Sequence, residues 1–84
     1  MNISFKLNGQ DYNRPDNQIH INIQNGFRER LKTILAPIYE QMSNEVGGII
    51  INYDDNGKLI QMTWGGYSID SNAKMNILLK EANL

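Results

Sequence analysis

The chain opens on a strict alternation. Ile3, Phe5 and Leu7 are apolar and Ser4 and Lys6 polar, the period of a strand with one buried face. Asn8-Gly9 follows, and both residues tolerate the positive φ of a type I′ turn, so the pattern predicts a hairpin. A two-residue loop sets Leu7 opposite Gln10, Lys6 opposite Asp11 and Phe5 opposite Tyr12. Arg14-Pro15-Asp16-Asn17 reads as a turn. Ile19-His20-Ile21-Asn22-Ile23 then alternates again and predicts a third strand, with the isoleucines on one side and His20 and Asn22 on the other.

After Gln24-Asn25-Gly26, with Asn25 as the expected cap, the period changes. Phe27, Leu31, Ile34, Leu35, Ile38 and Met42 fall on one face of an α-helix. Pro37 interrupts that helix, because it lacks an N–H and clashes with the carbonyl four residues back. It either kinks a single helix or starts a second one. The unbroken apolar stripe favours the kink.

Gly47-Gly48 ends the helical region, and Ile49–Tyr53 and Lys58–Trp64 flank Asp54-Asp55-Asn56-Gly57 as a second hairpin. An even loop pairs Tyr53 with Ile60, Ile51 with Met62 and Ile49 with Trp64, all apolar, and leaves Asn52 with Gln61 and Ile50 with Thr63 on the other face. An odd loop would mix faces that a buried sheet keeps apart. Beyond Gly65-Gly66, one of Ser68, Asp70 and Ser71 caps a last helix whose buried stripe is Met75, Leu78, Leu79 and Ala82. The expected order is βββαββα over a single domain, residues 1–84. The fold class is α+β, a two-layer sandwich with a mainly antiparallel sheet of about five strands and two helices on one face.

Composition narrows the chemistry. With 84 residues, a net charge of −1 and 20% charged residues, the chain reads as an ordinary globular domain without a broad basic face for a duplex or the acidity of a nucleic-acid mimic. The absence of cysteine excludes disulfides, thiol catalysis and cysteine-based metal sites, and one histidine excludes multi-histidine sites, so neither metal nor cofactor is expected. The N-terminus does not read as a signal peptide and no apolar run reaches a membrane-spanning length, which gives a cytoplasmic expectation. Twelve Asn and twelve Ile, both with AT-rich codons, suggest a low-GC bacterial or phage source.

Each candidate site has a plainer reading beside it. His20 suits general-base work, but no serine, carboxylate or second histidine stands at a telling spacing, and the alternation places it on a solvent face. Asp54-Asp55 fails as a calcium loop, because the ligand positions would include Lys58 and Ile60 and the twelfth would be Gly65; the pair forms a turn. Gly65-Gly66 with Ser68 joins a strand to a helix start and offers N–H groups to an anion or small ligand, without the spacing of a phosphate loop. Arg28, Arg30 and Lys32 are the one basic cluster and supply the nucleic-acid alternative. Asn52, Gln61 and Thr63 belong to a charge-poor sheet face suited to a protein interface, with Tyr39 as an aromatic anchor. The expected function is that of a non-enzymatic protein-interaction module: an inhibitor, adaptor or subunit, acting on another protein and able to form a homodimer through a sheet edge or helix face. The alternative is a nucleic-acid-binding module on the basic helix face.

Overall fold

The computed structural model describes residues 1–83. Strand β1 (Asn2–Leu7) turns through Asn8 and Gly9, both at positive φ, into the two-residue β2 (Gln10–Asp11). The register is the expected one, Lys6 against Asp11 and Leu7 against Gln10. Helix α1 spans Gln18–Ile34 and a 3-10 turn spans Ala36–Ile38; α2 (Tyr39–Ser43), β3 (Gly48–Tyr53), β4 (Leu59–Gly65) and α3 (Ile69–Glu81) follow. The fold is α+β with a four-stranded mixed sheet of order β2-β1-β3-β4.

Three expectations are corrected. The predicted third strand is the first part of α1. Asn17, not Asn25, caps it: the Asn17 side chain accepts a hydrogen bond from the His20 N–H at 2.9 Å. The isoleucine alternation loses to a helical spacing that runs through polar residues. His20, Gln24, Phe27 and Leu31 share the face turned to the sheet, so Ile19 is left 69% exposed and Ile21 and Ile23 half-buried. Tertiary contacts override a local β preference in this way when they satisfy groups that the pattern counts as outward-facing.

Pro37 splits the first expected helix instead of kinking it, so three helices stand where two were expected. Leu35 ends α1, with its N–H donating to the Leu31 carbonyl at 2.8 Å, and Pro37 sits in the first turn of the 3-10 segment. The stripe Leu31, Leu35, Ile38, Met42 continues buried across the break. A continuous apolar stripe therefore does not require a continuous helix.

The sheet is mixed, not mainly antiparallel. β3 runs parallel to β1, with Ile3 beside Ile49, Phe5 beside Ile51 and Leu7 beside Tyr53. A crossover as long as residues 12–47 permits this pairing. β3 and β4 are antiparallel in the even register, Ile49 with Trp64, Ile51 with Met62 and Asn52 with Gln61. One step fails: Tyr53 meets Leu59, not Ile60. Asp54 accepts hydrogen bonds from the Asn56 and Lys58 N–H groups, and Gly57 takes φ +79, which draws the loop tight and leaves Ile60 as the extra residue of a bulge.

All helices pack on one face of the sheet. Phe5, Ile49, Ile51 and Tyr53 meet Leu31, Leu35, Ile38, Met42, Met75 and Leu79 in a single buried cluster. At its edge lies a polar network. The fully buried Tyr53 hydroxyl stands 3.1 Å from His20 Nδ1 and accepts from Gln24 Nε2 at 3.2 Å. Gln24 Nε2 also donates to the Tyr12 carbonyl at 2.7 Å.

Replacing Tyr53 with Phe keeps the ring and removes the hydroxyl that His20 and Gln24 share. The expected loss is about 1–3 kcal/mol, the range for leaving buried partners unsatisfied, read from the urea midpoint. An unchanged midpoint would show that the network adds nothing to stability.

Candidate functional site

With every helix on one side, the other face of the sheet is uncovered. Lys6, Gly9, Ile50, Asn52, Gln61 and Thr63 line a shallow depression of about 270 Å³ on it. The β3–β4 register places Asn52 against Gln61 and Ile50 against Thr63, and the parallel pairing places Lys6 beside Asn52. Asn52 is held in place, because its Oδ1 accepts from the Gly9 N–H at 2.9 Å. Asn52, Gln61 and Thr63 are thus brought together around Ile50, which is 38% exposed.

Tyr39 is not with them. It belongs to the helix layer, where it lines a separate cleft of about 370 Å³ with Met1, Asn2, Ile3, Arg28, Glu29 and Lys32. The basic cluster is divided. Arg28 and Lys32 are one helical turn apart and share that cleft, whereas Arg30 lines another hollow with Phe27, Gly57, Lys58 and Leu59. The Arg28 guanidinium lies 4.8 Å from the centre of the Phe5 ring and donates to Asn25 Oδ1 at 3.3 Å, so part of its bonding capacity is used internally.

Around Gly65, Gly66 and Ser68 the structure does place an anion, and it is the chain's own. Ser68 caps α3, its Oγ accepting from the Ser71 N–H at 3.1 Å. The Ser68 N–H donates to Glu45 Oε1 at 2.5 Å, and the buried Ser71 hydroxyl donates to Glu45 Oε2. The Glu45 carboxylate therefore meets the positive end of α3 from outside the helix. The Ser71 hydroxyl, and after it the Ser68 N–H, hold the Glu45 carboxyl below its usual range. Asp70 is likewise lowered, first by the Gln41 amide at 2.8 Å and then by Lys74 at 3.0 Å. The sequence carries no signal for Glu45, which stands 23 residues before the group it caps.

His20, the other candidate, packs edge-on to Tyr12 with ring centres 5.3 Å apart and at 5.8 Å from the Tyr53 ring. The Tyr53 hydroxyl it faces is buried and shared with the buried Gln24, so Nδ1 of the half-buried imidazole is engaged inside the protein. Among the described residues no group of three or more His, Asp or Glu side chains is placed to hold a metal ion, and no helix is long and apolar enough to cross a membrane. A further feature has no counterpart in the local sequence pattern. Beside β4 a cleft of about 650 Å³ is lined by Leu59, Ile60, Gln61, Met62, Trp64, Asn76, Leu79 and Lys80. Trp64 is fixed there by its Nε1–H, which donates to Asn72 Oδ1 at 2.5 Å. Comparison with protein-family models, curated proteins and solved structures finds no match to the chain.

The turn into α3 can be tested at its glycines and at Glu45. The two glycines before Ser68 should respond differently to alanine. Gly66 has φ +83, and an added Cβ would collide with the Val46 carbonyl; Gly65 has open space around it. Gly66→Ala should cost about 1–3 kcal/mol for the strained backbone alone, with the collision added, and Gly65→Ala well under that, by thermal unfolding. The second test concerns acid. A carboxyl held low in the folded state binds its proton more readily when unfolded, so its contribution is present above the unfolded value and lost as pH falls through the folded one. Glu45→Gln should flatten the acid limb of the stability curve and leave the part due to Asp70. An unchanged limb would show that Glu45 does not sense the helix end.

Proposed function

We propose that the chain is a non-enzymatic protein-interaction module, an inhibitor, adaptor or subunit, that receives a partner protein on the uncovered sheet face. The observation that supports this is the contrast between the two faces. One is closed by α1, α2 and α3, and the other presents Ile50, Asn52, Gln61 and Thr63 with Lys6 as the one charged residue lining the depression. A charge-poor surface with an apolar centre suits the core of a protein interface, where charged residues are depleted. Lys6 selects a partner carrying a carboxylate at the rim, which also guides approach.

A second reading, nucleic acid on the helix layer, keeps Arg28 and Lys32 beside Tyr39 but not Arg30. The two are separable in one experiment. Protein is captured from bacterial lysate by the wild-type chain, by the Ile50→Arg/Gln61→Arg double variant and by the Arg28→Ala/Lys32→Ala double variant, each with and without nuclease. Under the proposed reading one stoichiometric protein survives nuclease, binds at least tenfold more weakly to the sheet-face variant and is indifferent to the helix-face variant. Capture that vanishes with nuclease, or with the Arg28 and Lys32 changes, overturns it in favour of nucleic acid.

A further inference from the structure

The two edges of the sheet are treated differently. At the β1 side the chain covers its own edge from Phe5 to Leu7. β2 is only two residues long, the Tyr12 N–H continues the pairing to the Phe5 carbonyl at 2.9 Å, and the Asn13 side chain accepts from the Phe5 N–H at 2.7 Å. At the other side β4 is seven residues long, Leu-Ile-Gln-Met-Thr-Trp-Gly, with no charge and no proline. Long edge strands in stable monomers carry such devices, or a cover, to block pairing with another chain. Here the one irregularity is the bulge at Ile60, which leaves Gln61–Gly65 regular.

We infer that Gln61–Gly65 of β4 pairs with the same segment of a second copy, antiparallel about a two-fold axis at Thr63, so that two four-stranded sheets join into one of eight. This dimer uses the backbone groups of Gln61 and Thr63, whose side chains also line the face proposed for a partner protein.

The register follows from the faces. Thr63 and Gln61 pair with Ile50 and Asn52 on the open side, whereas Met62 and Trp64 pair with the buried Ile51 and Ile49. Opposed residues of an antiparallel pair share a face, so a symmetric ladder must match open with open and covered with covered. Centring on Thr63 does this with the whole regular segment: Thr63 meets Thr63, Met62 meets Trp64 of the other copy twice, and Gln61 meets Gly65. Thr–Thr pairs and thioether–aromatic contacts are favourable across strands. The Met62 and Trp64 pairs lie along the 650 Å³ cleft, whose apolar lining includes the half-buried Leu59, Met62 and Trp64 and the exposed Ile60.

Charge also favours a second copy over a foreign strand. An edge without charge offers nothing to select a charged partner and nothing to repel itself. The cleft's only charged residue is Lys80. α3 runs antiparallel to β4, since Asn72 bonds Trp64 while Asn83 lines a hollow with Leu59. The two-fold therefore sets the two Lys80 side chains at opposite ends of the ladder.

The experiment uses the full chain in sedimentation velocity from low micromolar to millimolar concentration. A reversible dimer is expected. Thr63→Lys alone and Thr63→Glu alone should each be monomeric, because the axis places like charges against each other, and an equimolar mixture of the two should recover the dimer as a heterodimer. In the cysteine-free chain, Thr63→Cys should form a covalent dimer under mild oxidation, since opposed Cα atoms at roughly 4.5–5.5 Å lie within disulfide reach; Gln10→Cys, on the covered side, should not. Circular dichroism verifies that each variant is folded. A monomer at every concentration overturns the proposal. So does a dimer indifferent to Thr63→Lys and Thr63→Glu, or a mixture that stays monomeric. Because the Thr63 side chain also lines the open face, capture of a partner protein is scored with the wild-type chain and the Ile50 and Gln61 changes, and association with the Thr63 changes.

Discussion

The Tyr53 hydroxyl is the constraint around which the first half of the chain is arranged. It is carried by the last residue of β3 to the edge of the apolar cluster, fully buried, and a buried hydroxyl without a partner costs about 1–3 kcal/mol. The partners come from α1. His20 and Gln24 are one helical turn apart, so a helix started by the Asn17 cap brings both to the same place, whereas a strand would separate them. Gln24 then reaches the Tyr12 carbonyl, tying the end of the first hairpin to the same point. Phe27 joins the Tyr53 ring at 5.8 Å and Phe5 meets it edge-on at 6.2 Å. One hydroxyl thus couples the first hairpin, α1 and β3. The network is not fully closed: Gln24 Oε1 is buried with no partner. Its two amide bonds hold Gln24 in place against that cost.

The second half is held by a similar device of opposite character. α3 begins where two glycines release the chain, and its first turn would leave N–H groups open. Ser68 satisfies one from within and Glu45 satisfies another from outside, together with the Ser71 hydroxyl buried beneath the helix. Gln41 reaches the same turn from α2, donating to Asp70 and Ser71. The short helix α2 and the residues after it are therefore anchored to α3 by polar contacts, not only through Met42. The approach of Tyr67 explains the small residue at position 47, since a Cβ there would stand 2.5 Å from the Tyr67 ring.

What was legible in the sequence follows from which signals are local. Asn8-Gly9 defines a turn by backbone preference alone, and the β3–β4 register follows from matching apolar faces, so both appear as expected apart from the bulge. Asn52, Gln61 and Thr63 could be placed on one face because a period of two and a register suffice. The parallel pairing of β1 with β3 was not legible, because it depends on where a long crossover returns the chain. The segment Ile19–Ile23 misled for a more specific reason. The strand alternation sets His20 outward and stops at Gln24, yet these two, with the β-branched neighbours pushed aside, lie on the sheet-facing side of α1, Gln24 fully buried. The bonds that reverse the reading come from Tyr12 and Tyr53, 12 and 29 residues away from Gln24. Glu45 and the cleft beside β4 escaped for the same cause.

Placement of every helix on one face has a consequence for surface. A chain of this size hides only about 60–65% of the area its unfolded form exposes, and here the covered side absorbs most of the apolar residues. What stays outside is not uniform. The open face is polar with an isoleucine at its centre, whereas the β4 edge is uncharged and adjoins apolar side chains. A face contributes side chains and so suits selection among partners; an edge contributes backbone groups and so suits pairing with any strand of matching length and parity. Cover of Phe5–Leu7 by β2, Tyr12 and Asn13 shortens the competing edge, leaving β4 as the longer one on which backbone pairing can proceed. The same arrangement sets two kinds of contact side by side on one small domain: Thr63 offers its backbone to the free edge and its side chain to the open face, whose centre is Ile50 on the neighbouring strand.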